Sequence, residues 1–414
     1  MPSILFVHEN FPAQFGGIAG YLVARGWDVV FATAADGFPR DRVTRIAASG
    51  LRVLGYGRHR DVDKTTHRYL RGTERAVLNG QGLARAAIAL RQQGFAPDLV
   101  VAHSGWGSGS FARVVWPKAR FVPYLEWWYN YPPVDMESES TDSAEDRHAA
   151  TLCRNLPFLL DLQAADAILV PTTFQRDQLP DWLQARTTVI HDGVDIDALV
   201  RPPPGEPPFT LEGLPDTAPL VTYATRGMEP MRGFPEFMAD LARLQAEDET
   251  VHAAVAGEDS VHYGGRLPEG DSWKARALAA HGFDMTRLHF TGRLPAGRYR
   301  ALLRRSDAHV YLTRPFVLSW SLLDAMAAAC PMVVSDTAPV REVVPPDAAR
   351  FVEFQTPGEI ASGIAALLAD RAAARTMGAR ARAHAVAHYA QGDLYPKREA
   401  FFRAVIGGPA GSGQ

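Results

Sequence analysis

The sequence predicts an α/β protein made of two doubly wound parallel-sheet domains. Three observations lead there. Short apolar runs alternate with helix-period stretches almost throughout. The runs are continuous in Val, Ile, Leu and Phe. The alternation pauses once, at "RPPPGEPPFTLEGLPDTAP" (201–219), and then restarts. Strand-helix-strand repetition is the pattern of a parallel sheet with helices on both faces, and strands covered on both faces lose polar-apolar alternation. A stretch so rich in Pro and Gly neither packs nor forms a helix, and reads as a linker. At 414 residues the chain exceeds one ordinary core, so two domains are the simplest count.

The first domain, 1–198, has strands at "SILFVH", "WDVVFAT", "DLVVAH", "RFVPYLE", "AILVPT" and "TTVIHDG", with a helix near 17–25. The linker is set at 199–219. The second domain, 220–385, has strands at "LVTYATR", "HAAVAGE", "LHFTGRL", "AHVYLT", "PMVVSD" and "RFVEF". Helices are expected between them at 233–245, 271–282, 296–305, 321–329 and 357–368. The Ala- and Arg-rich stretch 370–406 reads as helix broken at "AQGDLYPK", its part 386–406 packing back on the first domain. The end, 407–414 (GGPAGSGQ), reads as a disordered tail.

With 43 Lys+Arg against 46 Asp+Glu the net charge is −3, which argues against nucleic acid as the main partner. The 47% hydrophobic and 21% charged content fits a soluble enzyme. Cys153 and Cys330 lie far apart and form no ligand-spaced cluster, so no metal and no cofactor is expected. "MPSILFVHENF" enters a strand without a basic region or cleavage site, and the longest apolar runs are strand-sized. The expectation is therefore a cytoplasmic protein without a transmembrane segment, with peripheral membrane contact left open. The acidic "MESESTDSAED" (136–146) reads as a solvated loop. H-E-x-x-H, P-loop and G-x-S-x-G motifs do not occur.

Open α/β sheets bind ligands beyond the carboxyl ends of their strands, so chemistry is sought there. Gly16 and Gly17 open the first helix, where a backbone approaches a ligand closely or simply turns tightly. His103 ends "PDLVVAH" ahead of the Gly-rich "SGWGSG". A histidine there donates to a substrate hydroxyl or stabilises charge, or else satisfies a carbonyl. His8 and Glu126 hold similar strand ends. Glu126, Trp127 and Trp128 open the aromatic "LEWWYNYPP", a wall for stacking sugar rings or a piece of core. In "YATRGMEPMRGF", Arg226 and Arg232 follow the second domain's first strand, Gly233 opens a helix, and two guanidinium forks match a diphosphate. Arg293 follows "LHFTG", where backbone groups read a base edge or the chain simply turns. Ser319, Trp320 and Ser321 form the turn before a helix, with Asp324 one turn into it.

In this order the pieces "FGGIAGYL", "PDLVVAHSG", "VIHDGVDIDAL", "TRGMEPMRGF", "LHFTGRLP" and "LLDAMAAACPMVVSDTAPVREVV" resemble the retaining glycosyltransferases of family four. The resemblance covers nearly the whole chain and implies the GT-B architecture, two Rossmann-like domains facing across a cleft. It places Gly16 and Gly17 near the donor diphosphate, His103 at the donor sugar, and Arg226 with Arg232 at the leaving group, Arg232 standing where the family usually has lysine. The family's two glutamates, separated by seven residues, fall on Phe316 and Asp324. Asp324 keeps a ribose-binding carboxylate one methylene shorter, and Phe316 has none. The amides or hydroxyls of Ser319, Trp320 and Ser321 are then expected to hold sugar and phosphate.

The resemblance thus implies a metal-independent retaining hexosyltransferase. Its donor is a nucleotide sugar, UDP-glucose, and its acceptor a hydroxyl of a glycan, a lipid-linked or a small-molecule acceptor. A non-catalytic nucleotide-sugar-binding protein, a sugar-nucleotide 2-epimerase and a sugar phosphorylase on the same frame are the alternatives.

Overall fold

The computed structural model describes the chain except residues 35–37, 39–42, 47–48, 136–140, 201–204, 206–208, 266 and 409–414. Strands β1 (Ser3–His8), β2 (Asp28–Thr33), β3 (Val43–Arg45), β4 (Arg52–Gly55), β5 (Leu99–His103), β6 (Arg120–Tyr124), β7 (Ile168–Val170) and β8 (Thr187–Val189) form one sheet. Its order is β3-β4-β2-β1-β5-β6-β7-β8, parallel except for the β3/β4 pair. A second sheet holds β9 (Leu220–Gly227), β10 (His252–Glu258), β11 (Leu288–Gly292), β12 (Ala308–Tyr311), β13 (Met332–Ser335) and β14 (Arg350–Val352). It runs β11-β10-β9-β12-β13-β14 and is parallel throughout.

The chain divides into two units. One comprises Met1–Pro133, Thr141–Asp192 and the segment from Leu394; the other comprises essentially Gly193–Asp393. The expected apolar runs are the central strands, and their side chains are buried on both faces. β3 and β4 were not expected: each is three or four residues long, and the edge strand β3 is only half-buried, so neither makes a continuous apolar run.

The long helix Arg71–Gln92 also lay outside the expected elements; it buries Leu78, Leu83, Ala86, Ala87 and Leu90. Glu145 and Asp146 of the acidic stretch are not loop. They lie in the first turn of the helix Ala144–Arg154, which Ser143 caps by accepting from the Asp146 amide, where carboxylates meet the positive end of the helix dipole. Residues 136–140 of that stretch, most of the proline run of the expected linker and the tail from 409 lie outside the described residues.

The break expected at "AQGDLYPK" is confined to Ala390, and Gln391–Gly407 is one helix with Pro396 inside it. Tertiary contacts override the proline. Leu394 and Phe402 are buried, Arg398 Nη2 donates to Asp192 Oδ1 (2.5 Å), and Glu399 accepts from Trp27 Nε1 (3.1 Å) and pairs with Arg25 (2.6 Å). No helix among the described residues is long and apolar enough to cross a membrane.

Both sheets grow outward from their first strand in two directions, β1 toward β2 and β5, β9 toward β10 and β12. Loops leaving adjacent strands in opposite directions open a crevice at the carboxyl ends. The β1/β5 and β9/β12 junctions are therefore where each unit offers a ligand site.

Candidate active site

At the β1/β5 junction His8 and His103 end their strands and face each other edge-on, ring centroids 4.6 Å apart. The Asn10 amide donates to His8 Nδ1 (2.8 Å). Burial, then the neighbouring His103, pushes the His8 pKa down to about 3, so His8 is neutral at ordinary pH. His103 Nδ1 lies 3.1 Å from the Ser104 carbonyl, which accepts only, so that nitrogen carries a proton. Its Nε2 is 3.1 Å from Glu126 Oε2, shielded from solvent and meeting the carboxylate off the hydrogen-bond line.

Glu126 follows β6 and also accepts from Gln14 Nε2 (2.5 Å). Burial pushes its carboxyl upward, but His103 and Gln14 together hold it below the usual range. Its side chain keeps 21% exposure, the more accessible member of the pair. Glu9, within electrostatic reach of His103, accepts from Asn79 Nδ2 (2.5 Å), which also donates to the Trp106 carbonyl (2.8 Å). The Gly-rich loop after β5 is anchored by Asp161, which accepts from Ser104 Oγ (2.7 Å) and Ser110 Oγ (2.6 Å) and whose pKa burial raises to about 6.

Of the aromatic run beyond Glu126, Trp127 is core, while Trp128, Tyr129 and Tyr131 are half-buried. Trp127 is buried 6.1 Å from Phe174, Trp128 lies 6.2 Å from Phe158, and Asn155 clasps the Tyr129 backbone from both sides. Gly16 and Gly17 open the first helix. Gly16 has ordinary helical dihedrals, and a side chain on either glycine meets neighbours: Pro12 at Gly16, the Tyr395 hydroxyl at Gly17. Packing against the Pro12 ring thus accounts for Gly16, whereas at Gly17 the obstacle is the tip of the half-buried Tyr395 side chain, which can swing aside.

At the β9/β12 junction, Arg226 near the end of β9 is exposed, whereas Arg232 in the following turn is buried at 6% exposure. Gly233 ends that turn at φ 63°, and a Cβ there would stand 2.8 Å from Leu312 Cβ, so glycine is required. Arg232 Nη1 donates to Thr313 Oγ1 (2.8 Å) and the Val317 carbonyl (3.0 Å), both just beyond β12. Its guanidinium carbon lies 5.3 Å from the Tyr263 ring and 5.9 Å from the Phe316 ring. No carboxylate pairs with it among the described residues. Burial pushes the Glu229 carboxyl up, opposed in part by the Tyr263 and His262 amides and then by Arg232 and Arg226.

Ser319 caps the helix Trp320–Ala327, and its hydroxyl accepts from the Ser321 amide (3.4 Å). The Ser319 amide donates to the Tyr311 hydroxyl (2.9 Å). Two of the three amides expected to face a ligand are therefore engaged within the protein, while the Trp320 side chain is 50% exposed. Asp324 accepts from the Tyr299 hydroxyl (3.1 Å), and burial lifts its pKa to about 6. Arg293 stands 84% exposed, 3.7 Å from Glu258.

The structure thus gathers His103 with Glu126 in one unit, and Arg232 with Phe316 and the start of the Trp320 helix in the other. It leaves Arg293 on the surface and Trp127 in the core. Sequence reasoning passed over Gln14, Asn79, Thr313 and Tyr263. Thr313 directly follows β12, where the strand-end rule points, and Tyr263 sits in the loop after β10. Gln14 and Asn79 lie on helical segments and carry no local signal. Among the described residues no group of three His, Cys, Asp or Glu side chains is placed to hold a metal ion.

Residues 25–199 match the "Glycosyl transferase family 4 group" model and residues 212–384 the "Glycosyl transferases group 1" model. No curated protein matches the chain in sequence. Among solved structures, sucrose-phosphate synthase from Thermosynechococcus elongatus superposes with a TM-score of 0.72 at 17% identity, over 98% of this chain and 99% of that one. Anabaena HepE, solved in complex with UDP and glucose, gives 0.68 at 17% identity over 98% and 100%. A UDP-forming α,α-trehalose-phosphate synthase from Burkholderia vietnamiensis gives 0.69 at 14% identity, again over 98% and 100%. At these identities the likeness is one of fold, and it extends over both sheets. With a glycosyltransferase model matched on each domain in the family's order, the chain belongs to the family 4 glycosyltransferases and has their GT-B fold.

Proposed function

We propose that the protein is a retaining hexosyltransferase moving a sugar from a nucleoside diphosphate, UDP-glucose before others, to a hydroxyl of a glycan, lipid-linked or small-molecule acceptor. The observation that carries the reading is Arg232, a buried guanidinium at a sheet's switch point that no carboxylate pairs with among the described residues. Glu229 acts on Arg232 through space without forming an ion pair with it, so a diphosphate brought by the ligand supplies a directly paired countercharge in a geometry the planar fork fits. Exposed Arg226 adds a second cation. UDP is the first nucleotide to test because HepE was also solved with UDP-glucose and with UDP.

In this reading the two guanidiniums stabilise the charge that develops on the leaving diphosphate, and a phosphate oxygen takes the acceptor's proton. Acceptor and leaving group then share one face of the sugar, so its configuration is kept and no glycosidase-type carboxylate pair is needed. His103 and Glu126 position sugar hydroxyls, and Asp324 accepts from the ribose. Because arginines supply the countercharge, activity is expected to persist in EDTA.

Phe316 favours a second reading, binding of a nucleotide sugar without transfer. Calorimetry with UDP and UDP-glucose, combined with chromatographic detection of UDP released in the presence of an acceptor panel, separates the two. Arg232→Met should stay folded by circular dichroism and lose at least ~10-fold in UDP affinity. Unchanged affinity would sink the diphosphate assignment. Binding of UDP-glucose with no UDP released would leave the non-catalytic reading.

A further inference from the structure

We infer that Tyr263 and Phe316 form an aromatic clamp that fixes the Arg232 guanidinium for an anionic ligand, with Glu229 as the buckle that holds Tyr263 in place. The inference rests on the diphosphate reading above and assigns positioning residues to it. The guanidinium carbon lies within cation-π range of both rings, 5.3 and 5.9 Å from their centroids. The rings themselves meet edge-on at 5.1 Å and 68°, so they close around the same side chain as one wall.

Three further contacts fix the arrangement. The Tyr223 hydroxyl donates to the Arg232 carbonyl (2.7 Å), which holds the backbone. Nη1 is spent on Thr313 and Val317, which sets the plane of the fork. Buried Glu229 accepts from the amides of His262 (2.5 Å) and Tyr263 (2.9 Å), which ties the loop after β10 down over the arginine.

The aromatic identity of residue 316 has a direct electrostatic consequence. A ring face stabilises the buried cation through its quadrupole yet leaves the net positive charge for a ligand. Phe316 thereby lines a buried arginine that no carboxylate pairs with among the described residues, while Tyr263 covers a second part of it. Anion affinity in this unit then depends on side chains that do not themselves carry charge.

The experiment is calorimetric titration of the full chain with UDP and, separately, with inorganic pyrophosphate. Wild type, Tyr263→Phe, Tyr263→Leu, Phe316→Tyr, Phe316→Leu and Phe316→Glu are compared, each with its thermal melt as a fold control. The ring-preserving variants should bind both ligands like wild type. The leucine variants should bind both about 3–30-fold more weakly, the range a desolvated cation-π contact is worth. Phe316→Glu, which also removes the ring, should weaken both as the leucine variants do. Half-buried Tyr263 tolerates leucine, so the test survives if a variant at 316 fails to fold. Wild-type binding that the leucine variants and Phe316→Glu all retain would overturn the clamp alone. A folded wild type that binds neither UDP nor pyrophosphate would overturn the diphosphate reading and the clamp with it.

Discussion

The place a Cβ would take on Gly17 is filled by the hydroxyl of Tyr395. A glycine expected from the sequence to admit a ligand thus also admits a side chain of the helix Gln391–Gly407. Gly17→Ala should destabilise the first unit by roughly 1 kcal/mol, the low end of overpacking, since the half-buried Tyr395 can swing its hydroxyl aside. Tyr395→Phe removes the blocking oxygen, so the double variant should recover part of that loss. Urea denaturation of the four proteins decides it, and strictly additive costs would refute the contact.

Asp161 links stability to pH. Its folded-state pKa, raised by burial to about 6, lies above that of an unfolded aspartate, so the folded state binds the extra proton between roughly pH 4 and 6. The group's contribution is therefore favourable at low pH and is lost as pH rises through 6. Asp161→Asn removes the titration but also one acceptor oxygen, so its stability relative to wild type should rise by on the order of 2–3 kcal/mol at most between pH 4 and pH 6, on top of a fixed cost for the lost acceptor. Denaturation midpoints of both proteins across pH 4–8 provide the check. A difference that does not change with pH would contradict it.

The His103–Glu126 pair should matter for turnover and not for the nucleotide. Glu126→Ala is expected to lower kcat/KM of transfer by about 10–100-fold, the worth of a hydrogen bond to a charged group, with UDP affinity unchanged. Parallel kinetics and calorimetry measure the two effects. A matching fall in UDP affinity would place Glu126 at the nucleotide instead.

Legibility in the sequence followed burial. Strands such as β1, β5, β9 and β10 are covered on both faces and advertise themselves as unbroken apolar runs. Edge strand β3 pairs on one side only and has no such run. Strand-end logic pointed to His103, Glu126 and Arg232 because the first ends β5, the second follows β6 and the third lies in the turn after β9. It also nominated Arg293, which ended at the surface, since a strand end fixes where the chain emerges but not where a long side chain goes. The grip of Glu229 on the 262–263 amides was invisible because it joins residues 33 and 34 positions apart through backbone groups every sequence possesses.

A buried ion pair offers the clearest stability test. Arg398 is 1% exposed and donates to Asp192 at 2.5 Å, while Tyr124 donates to the other Asp192 oxygen at 2.7 Å. Asp192→Asn leaves a buried guanidinium without its counterion and should cost ~3–5 kcal/mol, with Arg398→Met restoring part of it in the double variant. Thermal melts of the single and double variants measure the cost. A single variant within about 1 kcal/mol of wild type would mean the pair is dispensable.

The same ion pair sets a waiting time during synthesis. Asp192 leaves the ribosome 206 residues before Arg398, an interval of about 10–40 s at ~5–20 residues per second. Throughout it the first sheet lacks its closing helix while the entire second sheet is being made. The nascent first unit must therefore spend that interval with the docking surface for Leu394 and Phe402 open to solvent, which makes it the stage at which a chaperone has a defined apolar target.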